Sequence, residues 1–513
     1  MSSRALPARP HLDHLKSEAK ALRDAFRAGD ADAVRRIRAV VGDKSQIKLA
    51  DVQRVIARGY GFASWARLRA NVQASRSSAD AVEAFLSAVV AQNVNGARDV
   101  LRVRPNIAAS SLHVAAVLGH VNDARKLIRE DPSRVAARAG EVGGTPLLYL
   151  CYSPFHGESP DGDEGLFETA RLLLDSGADP NTTERRWGVP ALHGVTGQRS
   201  VPRVANLLLD AGANPTDGES LHHAAERFHE DALELLLARG ADLNHTGEWG
   251  NTPLYFLLRW YDLERAPRVR EGVVWLLEHG ADPNVRCGRE AETSLHVAAR
   301  RGQSPAIIRV LLDHGADVTA RRGDGRSAWL LAMRGGFDAI TRLLESAGAV
   351  PEPLTPVDSL LAACGRGDVE AARQLSSPEL LAALDAQDRS LLPEAAAVAR
   401  DTTVLACLAA GFPVNTVDQQ GATALHQAAI RGRAGLVRAL IDANADLTIR
   451  DREHSSTPLG WAMWGADHFL DQEGDYADTV RVLLAAGATP DEDGEKPRHA
   501  GVRAALDEFN GLR

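Results

Sequence analysis

The chain has 513 residues, of which 44% are hydrophobic and 25% charged, and it carries a formal net charge of -9. That length exceeds what one hydrophobic core usually supports, so several domains or a repeat array is expected. The acidic balance argues against a general nucleic-acid binder, and the apolar content argues against disorder.

The first residues, MSSRALPARPHLDHLK, contain no apolar stretch of the kind that marks a signal peptide. No run approaches the ~18 apolar residues of a membrane span, so a cytoplasmic protein is expected. Residues 12–40 have helical apolar spacing that ends near Gly42. Residues 48–72 predict two more helices, broken at Gly59-Tyr60-Gly61, with Ser64 as N-cap and Trp65 as a core anchor. Residues 1–75 carry no repeat and are expected to cap the exposed end of an array.

Beyond residue 80 two phrases recur. One is an apolar helix end followed by Gly-Ala-Asp or a variant: LLLDSGADPN (172–181), LLLARGADLN (235–244), WLLEHGADPN (275–284), ALIDANADLT (439–448). The other opens a helix with Leu-His and small residues: SLHVAAVLGH (111–120), SLHHAAERFH (220–229), SLHVAARRGQ (294–303), ALHQAAIRGR (424–433). Thr-Pro-Leu variants begin at Thr145, Thr252 and Thr457. Thr can cap exposed helix N–H groups, and Pro fits the first turn, where its missing N–H costs nothing. Gly177, Gly240 and Gly315 follow helix ends and suit the left-handed conformation that stops a helix.

These residues resemble the ankyrin-repeat family, in particular bacterial ankyrin-repeat proteins with a helical prelude. The resemblance covers roughly residues 80–490 and implies an all-α solenoid of helix-turn-helix repeats with projecting fingers. The expected organisation is a helical cap (1–75), a first array (80–350), a second array (357–490) and an acidic C-terminal cap (491–513). The proline-rich stretch 349–358 marks either an irregular repeat or a break. The resemblance also implies that His113, His193, His222, His296 and His426, which share one repeat position, bond the backbone of a neighbouring repeat. One repeat apart, they are too distant to share a metal ion held at ~2 Å. No metal or cofactor is expected, and no catalytic motif is present.

Three repeats are lengthened between their helices, at 153–165, 260–271 and 464–478. They hold five of the six tyrosines, together with Trp260, Trp461 and Trp464. By repeat register, Trp187, Trp249, Arg259, Trp260, Tyr152 and Trp464 fall at exposed groove or finger positions, and Tyr149, Phe256 and Trp461 at core positions. Trp, Tyr and Arg dominate binding hot spots. Trp249, Arg259, Trp260 and Tyr261 therefore form the first candidate patch, with Trp187, Tyr152, Arg227, Arg300, Arg301 and Trp464 as further contacts for another protein or peptide. The alternative is packing of these aromatics beneath their own loops. A second functional reading is a small-molecule binder or enzyme roofed by the insertions. Its candidate acidic ligand loops carry Asp161, Asp163 and Glu164, and Asp471, Glu473 and Asp475.

Overall fold

The computed structural model describes residues 12–42, 47–76, 78–247, 250–260, 266–418, 420–468, 474–490, 497 and 499–511. They fall into two compact units, Met1–Trp249 and Gly250–Arg513. Among the described residues the regular structure is helical, with only isolated antiparallel bridges at finger bases such as Thr183 with Pro190 and Cys287 with Glu292.

The first unit opens with four helices, Leu12–Arg27, Ala31–Val41, Leu49–Gly59 and Trp65–Arg76. They enclose a core that includes Leu15, Ile37, Val52, Ile56 and Leu68, and Trp65 packs at its edge. The continuous pattern read over 12–40 is broken once. Gly29 takes φ +80°, and the Asp30 carboxylate accepts the Ala33 N–H at 2.8 Å to start a new helix. The break at residues 59–61 and the Ser64 cap (Arg67 N–H to Oγ, 3.2 Å) follow the sequence reading.

From residue 78 onward helices alternate in antiparallel pairs. Thr145, Thr252 and Thr457 accept N–H bonds from Leu148, Tyr255 and Gly460 at 3.2–3.3 Å, and Pro146, Pro253 and Pro458 open their helices. Gly177, Gly240 and Gly315 end helices at φ between +83° and +89°. The small residues serve close stacking: Ala115, Ala116, Ala298, Ala299, Ala428 and Ala429 are fully buried. The Asn of the finger phrase has a role of its own. Asn284 donates to Gly315 O (2.8 Å) and accepts from Asp317 N–H (2.7 Å), so one side chain satisfies both backbone groups of the next turn. Asn181 does the same with Gly212 and Asn214.

In the second unit the helices on either side of the proline-rich stretch, Ala328–Arg334 and Pro356–Arg366, pack directly together. The capping box of Thr355 and Asp358 starts the latter. After Val369–Leu375 a finger is replaced by two short helices, Pro378–Ala383 and Ala386–Arg389. The helix Ala500–Gly511 then covers Tyr476–Ala485 through Val502 and Ala505. The acidic residues 491–496 expected in the C-terminal cap lie outside the described residues. All four cysteines are buried and unpaired. Cys364 and Cys407, distant in sequence, meet across neighbouring helices, and burial pushes the Cys407 thiol far above its ordinary range.

Candidate partner-binding site

In the first unit the finger 182–190 is organised by one carboxylate. Glu184 is buried and accepts the backbone N–H groups of Arg186, Trp187 and Val189. Arg185 N–H donates to Val142 O of the preceding finger at 2.8 Å, and Arg138 donates to Thr183 O at 2.7 Å. A rigid turn results, and it carries Trp187 with 64% of its surface exposed and the Arg186 guanidinium 5.1 Å from its ring. An exposed indole on a preorganised backbone is what a binding anchor requires.

At the helix ends behind this finger, the one-turn π-helix Gly194–Gln198 follows the short helix Ala191–His193. Gly197 leaves no room for a Cβ, which would lie 2.5 Å from His193 Cδ2. Tyr152, expected at an exposed groove position, turns inward instead. Its hydroxyl donates to Pro190 O (3.3 Å) and lies 2.6 Å from His193 Nδ1. His193 thereby departs from His113 and His426, which donate through Nε2 to Ala137 O and Ser456 O as the resemblance implies. The His193 ring meets His223 edge-on at 4.9 Å, and His223 sits between the carboxylates of Glu219 and Glu226. Arg227 is engaged with Gly197 O and Gln198.

The two imidazoles titrate in opposite directions. Burial, reinforced by the charge on His223, pulls His193 down to about 3. Burial alone would also lower His223, but its two carboxylate partners outweigh this and hold it up at about 9. His223 therefore contributes stability that is complete below the ordinary value of 6.5 and lost as pH rises through about 9. His193, kept neutral, contributes stability that is complete above 6.5 and lost as pH falls toward about 3. Melting curves from about pH 5 to about pH 9.5 should show an alkaline decline in the parent chain that His223→Gln loses. An unchanged alkaline slope would count against the assignment.

The first acidic cluster is not the loop that the sequence predicts. Asp161, Asp163 and Glu164 do not sit in a loop, because Ser159 caps and Pro160 opens the helix Pro160–Asp175, and all three occupy its first turns. Acidic side chains there complement the helix N-terminus. Asp163 accepts from Gly157 N–H (2.8 Å), Glu164 pairs with Arg203 (2.8 Å), and Asp161 points to solvent. A cavity of about 290 Å³ lies beside them, lined by His156, Asp163, Phe167, Arg199 and Arg203. Asp475 caps the helix Tyr476–Ala485 through Asp478 N–H (2.9 Å), while Asp471 and Glu473 lie outside the described residues.

In the second unit Arg259 is half-buried in the last turn of the helix Pro253–Trp260. Trp249, Tyr261 and the Trp260 side chain lie outside the described residues. Trp464 is 53% exposed and stacks on His468, with ring centroids 4.6 Å apart. Of the aromatics read as core, Tyr149 is fully buried, while Phe256 and Trp461 are half-buried.

A feature absent from the sequence reading is a dense charge network in this unit. Glu292 is buried, accepts from Tyr255 OH (2.8 Å) and pairs with Arg300 (3.1 Å) and with the fully buried Arg322 (2.7 Å). Arg334 pairs with Asp358 (2.7 Å) and Asp388 (2.9 Å), and Arg326 with Asp385 (2.8 Å). The partial signal was register: Arg334 ends its helix where Arg300 and Arg301 end theirs. Glu292 lies on the regular finger just before its helix, whereas Asp385 and Asp388 come from an irregular repeat whose alignment no periodicity reveals.

Paired antiparallel helices, fingers tied tip to tip, and exposed residues on fingers and helix ends define a repeat scaffold. Family models of ankyrin repeats match residues 263–355 and 360–493, and 221–267. The chain is an ankyrin-repeat protein. It is 28% identical over 313 residues to the E3 ubiquitin-protein ligase KEG of Arabidopsis thaliana, covering 56% of this chain and 18% of that one. It is 35% identical over 128 residues to ankyrin repeat and SOCS box protein 11 of Danio rerio, covering 25% and 39% respectively. It is 32% identical over 234 residues to ankyrin repeat and SOCS box protein 16 of Mus musculus, covering 44% and 48%. The chain thus spans less than half the length of these curated relatives. The crystal structure of the human ASB11 ankyrin repeat domain aligns at a TM-score of 0.35 with 26% identity, covering 47% of this chain and 99% of that one.

Proposed function

We propose that this protein is a scaffold that holds another protein or peptide on its finger tips and helix-end grooves. The observation that carries the proposal is Trp187, held out to solvent on a finger braced by Glu184. An ankyrin array shared with a ubiquitin-protein ligase and with SOCS box proteins supports a recruiting role. The patch of Trp249, Arg259, Trp260 and Tyr261, and the exposed Trp464, belong to the same proposal. So do a cytoplasmic setting and kinship with bacterial ankyrin-repeat proteins, which rest on the sequence alone. Among the described residues no helix is long and apolar enough to cross a membrane.

Trp187→Ala should reduce partner capture by at least about tenfold, the effect of removing a hot-spot anchor. Affinity purification with quantitative mass spectrometry, run beside circular dichroism, measures both capture and fold. Undiminished capture by a folded Trp187→Ala chain removes this finger from the interface. The cavity beside residues 156–167 supports a second reading as a small-molecule site. Its test is a metabolite screen by thermal shift in which any stabilisation disappears in Arg203→Ala.

A further inference from the structure

Repeats in a solenoid contact mainly their immediate neighbours. Finger tips here follow that rule: Gly323 N–H bonds Glu290 O (2.6 Å), and Arg452 N–H bonds Gln420 O (2.9 Å). The segment that replaces the finger at 376–390 does not. Asp385 reaches Arg326, Gln387 reaches Arg322, and Asp388 reaches Arg334, all on the finger and helix two repeats back. Glu394, at the start of the next helix, pairs with Arg301 at 3.3 Å, further back still. The intervening connector 349–355 forms no antiparallel bridge among the described residues and meets that finger through Glu352, which pairs with Arg321 at 3.0 Å.

The wall beneath this segment is cationic. Five guanidiniums (Arg300, Arg301, Arg322, Arg326 and Arg334) face four carboxylates from the rest of the unit (Glu292, Asp324, Asp358 and Glu394), a balance of +1. Asp385 and Asp388 bring it to -1. The arginine side chains are 1–24% exposed, so they are fixed and largely desolvated, whereas Asp385 on the rim is 46% exposed. Planar guanidiniums held in this way favour carboxylates in a defined geometry. The helix Pro378–Ala383 in the same segment contributes no buried residue.

We propose that residues 385–388 act as an intramolecular stand-in, seated on an arginine-lined groove that takes an acidic peptide of another protein. The proposal rests on the scaffold reading and names one of its partners by chemistry: a peptide with two carboxylates three residues apart. Displacing Asp385 and Asp388 opens the groove, so the segment sets a threshold that only a sufficiently acidic partner passes.

The test measures fluorescence anisotropy of a labelled deca-glutamate peptide with the full chain. Asp385→Asn combined with Asp388→Asn should bind it at least about tenfold more tightly than the parent. Adding Arg326→Gln and Arg334→Gln should remove the gain, and raising salt from about 0.05 to about 0.3 M should weaken binding. A folded double variant that binds no better than the parent overturns the proposal, as does equal affinity for an oligothymidylate of matched charge. Should the double variant fail to fold, hydrogen exchange on the parent chain decides. Saturating peptide should speed exchange at the Asp388, Arg389 and Ser390 amides, which are bonded within the segment, and unchanged exchange overturns the proposal. Peptide binding lost with capture through Trp187 intact refutes the groove alone. Capture lost with peptide binding intact refutes the wider scaffold reading alone.

Discussion

Glu292→Ala should destabilise the second unit by about 3–5 kcal/mol, the cost of breaking a buried ion pair from one side. Glu292 is 3% exposed and answers Arg322, Arg300 and the Tyr255 hydroxyl together. Its removal leaves the Arg322 side chain, 1% exposed, with Asp324 and Gln387 as the remaining partners at that site. Burial alone would raise the Glu292 carboxyl, but Arg300, Tyr255 and Arg322 hold it down at about 2. Its contribution is therefore complete above the ordinary value of 4.5 and lost as pH falls through about 2. Urea unfolding followed by circular dichroism measures the loss. A change below about 1 kcal/mol would place this network among exposed ion pairs of little worth.

Gly336→Ala should cost about 2–5 kcal/mol, combining about 1–2 for a left-handed non-glycine residue with about 1–3 for overpacking. Gly336 has φ +70°, and a Cβ there would lie 2.3 Å from Arg366 N and from Gly365 C. Those neighbours are backbone atoms of the next repeat's helix and cannot rotate away. Gly315 provides the control, with φ +83° and open space around its Cβ position, so Gly315→Ala should carry only the conformational part, about 1–2 kcal/mol. Denaturant midpoints of the two variants compare the terms directly. Equal losses would show that the close approach at Gly336 costs nothing to relieve.

Both glycines sit just past the end of a helix, and only the backbone packed around them tells them apart. The same holds for charge. Arg300-Arg301 was legible as a pair at a helix end, but nothing near it in sequence announces Glu394. Legibility followed range. Thr145, Thr252 and Thr457 cap amides three residues away, so their role was written in local order. Gly29-Asp30 was equally local and was still read through, because the apolar spacing on both sides of it stayed helical. Register places Tyr152 outward, whereas its hydroxyl meets Pro190 O and His193 Nδ1 from elements some forty residues away.

The sequence by itself determined that this is a stacked helical-repeat protein, where its helices are capped and stopped, and that its irregular repeats differ from the rest. Those properties depend on interactions spanning a few residues, repeated at a regular interval. Only the tertiary structure decided that Tyr152 turns inward, that the acids at 161–164 stand on a helix, and that residues 385–388 lie on arginines two repeats back. Those outcomes depend on how unequal repeat lengths add up in space, which no single repeat encodes.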